Sequence, residues 1–375
     1  MENVLEVNDL ATYFFMHDYI IRAVDGVDFT LAKGETLGIV GESGCGKSMT
    51  SMSLMRLIPD PPGKIVHGEV NLKGTDLVKL SEEKMRRYRG NEISMIFQEP
   101  MTSLNPVYTI GFQISEVLRL HRDIEKREAL REAARLLKMV GMSDPDERVH
   151  EYPFQLSGGL RQRAMIAIAM ACEPSVMIAD EPTTALDVTI QAQILRLMGE
   201  LKEAKDTSIA FITHDLAVIA GFTDRVMVMY AGVAVEDAPV KELFKNPLHP
   251  YTQGLLGSVP VLGVGKLNED GTRRLLQAIP GTLPDARRFP RGCRFAPRCP
   301  HAMKRCWEAE PEMVEVAPGH NVRCYLHHEV VRERKVRNLG AAGRRIAKLQ
   351  EHDRKKREAK RARAERKENK RDGVS

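Results

Sequence analysis

Gly41-Glu42-Ser43-Gly44-Cys45-Gly46-Lys47-Ser48 has the spacing of a phosphate-binding loop, and it stands between the apolar run Thr36–Val40 and a helix-like stretch over 48–58. Glycines let the backbone wrap closely around a polyanion, so Gly41, Ser43, Gly44, Cys45, Gly46, Lys47, Ser48 and Met49 are the expected nucleotide contacts. Lys47 offers a charge to the β- and γ-phosphates, and the Ser48 hydroxyl a ligand to Mg2+. The apolar run 176–179 ends in Asp180-Glu181, where one carboxylate would hold Mg2+ through water and the other would polarise an attacking water. Ser157, Gly158 and Gly159, just before a helix rich in Ala, Met and Ile, form a further anion cradle.

Strand-like runs at Thr36–Val40, 93–97, 176–179 and 208–213 alternate with helical spacing over 114–120 and 130–140. That alternation predicts an α/β fold with a parallel sheet whose ligands bind beyond the carboxyl ends of its strands. From about residue 246 prolines punctuate a stretch with little regular period, which reads as a smaller, loop-rich segment.

Leu156-Ser157-Gly158-Gly159-Leu160 resembles the signature sequence of ATP-binding cassette (ABC) ATPases. Other markers of that family follow in order: Gln98 resembles the Q-loop, Ala185-Leu186-Asp187 the D-loop and His214 the switch histidine, while Phe14 holds the place of the aromatic that stacks on adenine. The chain departs from the commonest form at Leu160, where glutamine is usual, and at Thr184, where serine often precedes Ala-Leu-Asp. The resemblance implies a P-loop ABC cassette: a RecA-like parallel-sheet core, an N-terminal antiparallel β region and a helical subdomain, followed by a small appendage with four cysteines. It makes Glu181, His214 and Lys47 catalytic, adds Gln98 to Ser48 and Asp180 around Mg2+, and offers Ser157, Gly158 and Gly159 to a partner's ATP. The expected boundaries are 1–255 for the cassette, with the helical subdomain at about 105–160, then 256–330 for the appendage and 331–375 for a basic tail.

A narrower resemblance is to the ATP-binding subunits of oligopeptide, dipeptide and nickel importers. It rests on residues 34–44, on Gln98-Glu99-Pro100-Met101-Thr102-Ser103-Leu104-Asn105-Pro106 and on Asn246-Pro247-Leu248-His249-Pro250-Tyr251-Thr252, and it covers residues 4 to about 328. It implies a motor working with a second ATPase subunit, two transmembrane permeases and an extracytoplasmic solute-binding protein, at the cytoplasmic face of the membrane. Peptide is the first cargo, nickel or another small solute the second. In that family the stretch from Gln98 to Gln113 borders the groove that receives a helix of the membrane subunit. A soluble ABC protein acting on nucleic acid or ribosomes fits less well: such chains usually carry two cassettes, and one phosphate loop is present here. An efflux motor is disfavoured by the His249-Pro250-Tyr251-Thr252 segment, which belongs to the importer group by resemblance.

Four of the six cysteines, Cys293, Cys299, Cys306 and Cys324, cluster with gaps too long for ordinary zinc knuckles. Four thiolates with wide gaps suit a [4Fe–4S] cluster, which members of the importer family carry at similar spacing, with Zn2+ as the alternative. Cys45 and Cys172 stand apart as small side chains, although a thiol at a helix N-terminus can be acidified, which would make Cys45 reactive.

With 43% apolar and 29% charged residues, the 375-residue chain has the makings of a sizeable core, which excludes whole-length disorder. It has no apolar run of the roughly 18 residues that a membrane span needs, and its first residues show no basic and apolar secretion signal, so a cytoplasmic protein is expected. The net charge of +5 hides two unlike parts: residues 331–375 hold 18 of the 56 Lys and Arg but 7 of the 51 Asp and Glu, leaving a mildly acidic body. That tail reads as disordered or as a solvated charged helix, with attraction to anionic headgroups as a further reading.

Overall fold

The computed structural model describes residues 2–184, 186–259 and 279–328. One compact unit runs to residue 327, and the tail expected to be disordered, solvated or lipid-bound lies outside the described residues. The strands in chain order are β1 (Asn3–Phe15), β2 (Ile20–Ala32), β3 (Thr36–Val40), β4 (Gly63–Leu72), β5 (Thr75–Asp76), β6 (Ile93–Ile96), β7 (Val176–Asp180), β8 (Ser208–Ile212), β9 (Arg225–Tyr230), β10 (Val233–Pro239), β11 (Val314–Ala317) and β12 (His320–Val322). They form an antiparallel sheet, β2-β1-β4-β5, and a larger sheet, β11-β12-β10-β9-β3-β8-β7-β6, in which β6, β7, β8, β3 and β9 run parallel.

Both faces of the parallel strands are covered, which is why they read as continuous apolar runs. Side chains alternate across the sheet: Val176 and Ile178 face a core shared with the antiparallel sheet, whereas Met177 and Ala179 face the core built with the helices. Helices Ile110–His121 and Lys126–Met139 fall between β6 and β7, and the stripe Ala129, Ala133, Leu136 and Leu137 packs inward.

The C-terminal cysteine segment does not stand apart as an appendage. β12 pairs with β10 through Glu236↔Val322 and Asp237↔Asn321, so the segment extends the main sheet. Arg294 fastens it as well: its guanidinium donates to the Ala231 carbonyl at 2.6 Å, pairs with Asp25 at 2.5 Å and lies 4.2 Å from the Phe289 ring centre. Among the described residues no helix is long and apolar enough to cross a membrane.

Candidate active site

Register places the chemistry. Ile39 of β3 lies beside Ile212 of β8, Asp180 of β7 beside the same Ile212, and Ile96 of β6 beside Ala179. The phosphate loop, the Asp180-Glu181 pair, His214 and Gln98 therefore leave one edge of one parallel sheet, the edge where such sheets bind ligands.

The loop is shaped by close backbone approach. Gly46 has φ +109, and a Cβ there would come within 2.5 Å of the Ala23 carbonyl oxygen in β2; at Gly41 it would come within 2.3 Å of the Met229 carbonyl. Lys47, only 5% exposed, donates from Nζ to the carbonyls of Gly41 at 2.7 Å and Glu42 at 3.2 Å. Ser43 and Gly44 are exposed on the loop, and Met49, in the helix Lys47–Leu54, is half-buried against the core.

The Ser48 hydroxyl reaches Asp180 Oδ1 at 3.2 Å, and Ser51, one turn on, reaches Oδ2 at 3.4 Å. Ser48 and Asp180 are adjacent hard oxygen donors, a set that fits Mg2+ shared with nucleotide phosphates. Burial pushes the Asp180 carboxyl up, aided by the Glu181 charge and opposed by the two serine hydrogen bonds.

Glu181 is the centre of a second network. Its Oε2 accepts from Gln98 Nε2 at 3.1 Å and from the Thr184 hydroxyl at 3.0 Å, and its Oε1 lies 3.0 Å from His214 Nδ1. Burial alone would raise this carboxyl, but the hydrogen bonds from His214 and Thr184, with the His214 and Lys47 charges, hold it below the ordinary carboxylate value. Its φ of +46 is a conformation that costs a non-glycine residue about 1 kcal/mol or more and persists where the surroundings enforce it. The arrangement is a carboxylate held ionised among Gln98, Thr184 and His214, one residue from Asp180.

Ser157 caps the helix Gly158–Met170, its hydroxyl accepting from Leu160 N–H at 3.4 Å. Ser157 and Gly158 are exposed, leaving the positive end of a 13-residue helix open. Gly159 packs closely, since a Cβ there would meet Ile190 at 2.9 Å. Leu160 is half-buried against the core, which explains an apolar residue at that place. Phe14 is half-buried in β1 opposite Ile21, two residues before the Ala23 carbonyl that meets Gly46.

This chain matches the ABC transporter family over residues 24–184 and the oligopeptide/dipeptide transporter C-terminal region over residues 235–306. It is 54% identical to the oligopeptide transport ATP-binding protein AppD of Bacillus subtilis, across 88% of this chain and 98% of that protein. The chain belongs to the ABC transporter ATP-binding subunits of the oligopeptide/dipeptide type. OppD of the same organism is 53% identical across 87% of this chain and 89% of its own length. Among solved structures, the dimeric post-hydrolysis state of the ATP-binding cassette MJ0796 bound to ADP and Pi is 27% identical, with a TM-score of 0.57 across 63% of this chain and 98% of that one. The subunit is thus an ABC-type ATPase.

One expectation changes on contact with this geometry. Cys45 is fully buried within the phosphate loop of the subunit, and burial pushes its thiol up against the Lys47 charge, so it is not an acidified nucleophile. Gln98 donates from Nε2 to Glu181 Oε2 at 3.1 Å, a contact of its amide nitrogen. Ala185 of the D-loop lies outside the described residues, whereas Asp187 caps the helix Val188–Lys205 by accepting from Ile190 N–H at 3.0 Å.

Cys293, Cys299, Cys306 and Cys324 line one cavity with His249 and Phe295, and none forms a disulfide. Burial pushes Cys293 up to about 12 and Cys324 up to about 11. Among the described residues no three His, Cys, Asp or Glu side chains converge as ligands of one metal ion.

Proposed function

We propose that this subunit is the motor of an importer that couples ATP binding and hydrolysis to uptake of di- and oligopeptides. The observation that carries hydrolysis is Glu181, ionised and held by Gln98, Thr184 and His214 beside Asp180 and the phosphate loop. Peptide as cargo is supported by relatives named for oligopeptide transport that align over nearly their whole lengths.

In this reading Lys47 and the loop amides bind the phosphates, Ser48 and Asp180 hold Mg2+, Phe14 stacks on adenine, and Ser157, Gly158 and Gly159 complete a partner subunit's ATP site. Bound Mg2+ would neutralise charge that develops on the phosphates. The permease seat would be the surface of the stretch from Gln98 to Gln113, within which Tyr108 and Phe112 stack at 4.6 Å between ring centres and Val107 is exposed. Two permeases, a second ATPase subunit and an extracytoplasmic solute-binding protein complete the machine, with this subunit peripheral on the cytoplasmic face.

The four-cysteine cavity is read as the seat of a [4Fe–4S] cluster. Four thiols share one cavity, and their wide gaps along the sequence favour a cluster with four separate corners over one Zn2+. Bound there, the cluster would cross-link the segment through its thiolates.

The test is reconstitution of the complete importer in liposomes. ATP-dependent uptake of labelled peptide, unaffected by excess nickel and abolished without this subunit, is the expected result; nickel uptake without peptide uptake would reassign the cargo.

A further inference from the structure

Glu42, the second residue of the phosphate loop, is held from three directions. Its N–H donates to Tyr251 Oη at 2.8 Å, its carbonyl accepts from Lys47 at 3.2 Å, and its carboxylate accepts both limbs of the Arg298 guanidinium at 2.8 and 3.0 Å. The Arg298 side chain is 6% exposed, and its Nε donates to the Pro280 carbonyl at 2.8 Å. Alone, a carboxylate in this loop would work against the loop's task, because a partly buried negative charge repels the polyanion it must receive. A two-limbed guanidinium pair cancels that charge and fixes the plane of the carboxylate. Arg298 adjoins Cys299, so the cancelling charge comes from the cysteine-lined segment, 256 residues along the chain from Glu42.

We propose that Arg298 is a positioning residue of the nucleotide site: it neutralises Glu42 within the loop and steadies the backbone on which Lys47 rests, making the cysteine-lined segment a working part of ATP binding. The inference rests on the Gly41–Ser48 loop being the nucleotide site. A staple serving only to hold the segment on the body would predict lower stability without a charge-dependent change in affinity.

The experiment measures MgATP affinity by calorimetry, together with thermal unfolding, on the full chain carrying Arg298→Ala, Glu42→Gln or both. Arg298→Ala is expected to weaken MgATP binding by about tenfold, the size of one unopposed charge nearby, with the loss shrinking as salt screens it. Adding Glu42→Gln should bring affinity back to within about threefold of the parent, even though the pair is gone and the unfolding midpoint stays low. Arg298→Ala binding MgATP like the parent, or a double variant no tighter than the single, would overturn the proposal. Should Arg298→Ala not fold, Arg298→Lys takes its place: its loss should be smaller and likewise recovered by Glu42→Gln, and an unrecovered loss counts against the proposal. A parent chain that binds no MgATP would overturn the loop assignment and this inference with it.

Discussion

Glu181 and His214, from the ends of the adjacent strands β7 and β8, meet with 3.0 Å between Oε1 and Nδ1. The contact helps keep Glu181 ionised despite its burial. A base must be ionised to take a proton from water, so activity is lost as pH falls through the lowered Glu181 value. His214→Ala leaves burial less opposed and raises that value. Turnover should fall on the order of a hundredfold, and the acid limb of the kcat profile should move to higher pH. ATPase rates across the acid and neutral range check both; an unmoved acid limb would sever His214 from the ionisation of Glu181.

Gly46 tests the loop's backbone. With φ +109 and the Ala23 carbonyl 2.5 Å from a built Cβ, Gly46→Ala must push the loop away from β2. A loss of about 1–3 kcal/mol in urea unfolding is expected. Gly44→Ala, at φ +81 but with open space around it, should lose less. Equal midpoints for the two would contradict the packing described for Gly46.

Cys45 should be slow to react. It is buried and its thiol is raised, so native protein treated with a maleimide at neutral pH should yield the Cys45 peptide unmodified, and denatured protein should yield it modified. Rapid native labelling detected by mass spectrometry would restore the reactive-thiol reading.

The cysteine cavity makes a compositional prediction. Protein purified without oxygen should be brown and carry about four iron and about four sulfide per chain, both lost in Cys306→Ala together with a lower unfolding midpoint. Colourless protein with zinc and no sulfide would replace the cluster by the metal ion.

Much of this site was legible because local rules govern it. Thr36–Val40 is apolar on both faces and runs straight into the glycine-rich loop, so β3 and its ligand end are written in one short stretch. The same holds for β7, which ends in Asp180. Thr184 looked like a mere departure from serine, yet its hydroxyl serves Glu181. Ser51 could have been found as the residue one turn beyond Ser48 on the same helix face. No local signal announces the Arg298–Glu42 pair or the β10–β12 pairing, because each joins the proline-punctuated stretch, where neither helical nor strand period appears, to a distant earlier segment. Those contacts made the expected appendage part of the sheet.

Glu181→Gln is the decisive substitution, because the amide keeps the size of the carboxylate and its one oxygen can still accept from Gln98 and Thr184, but it cannot serve as a base. In the assembled transporter MgATP should still bind with an affinity near the parent's, while turnover at this site should drop by about a hundredfold or more. Undiminished turnover in the variant would contradict the role of Glu181 as the base.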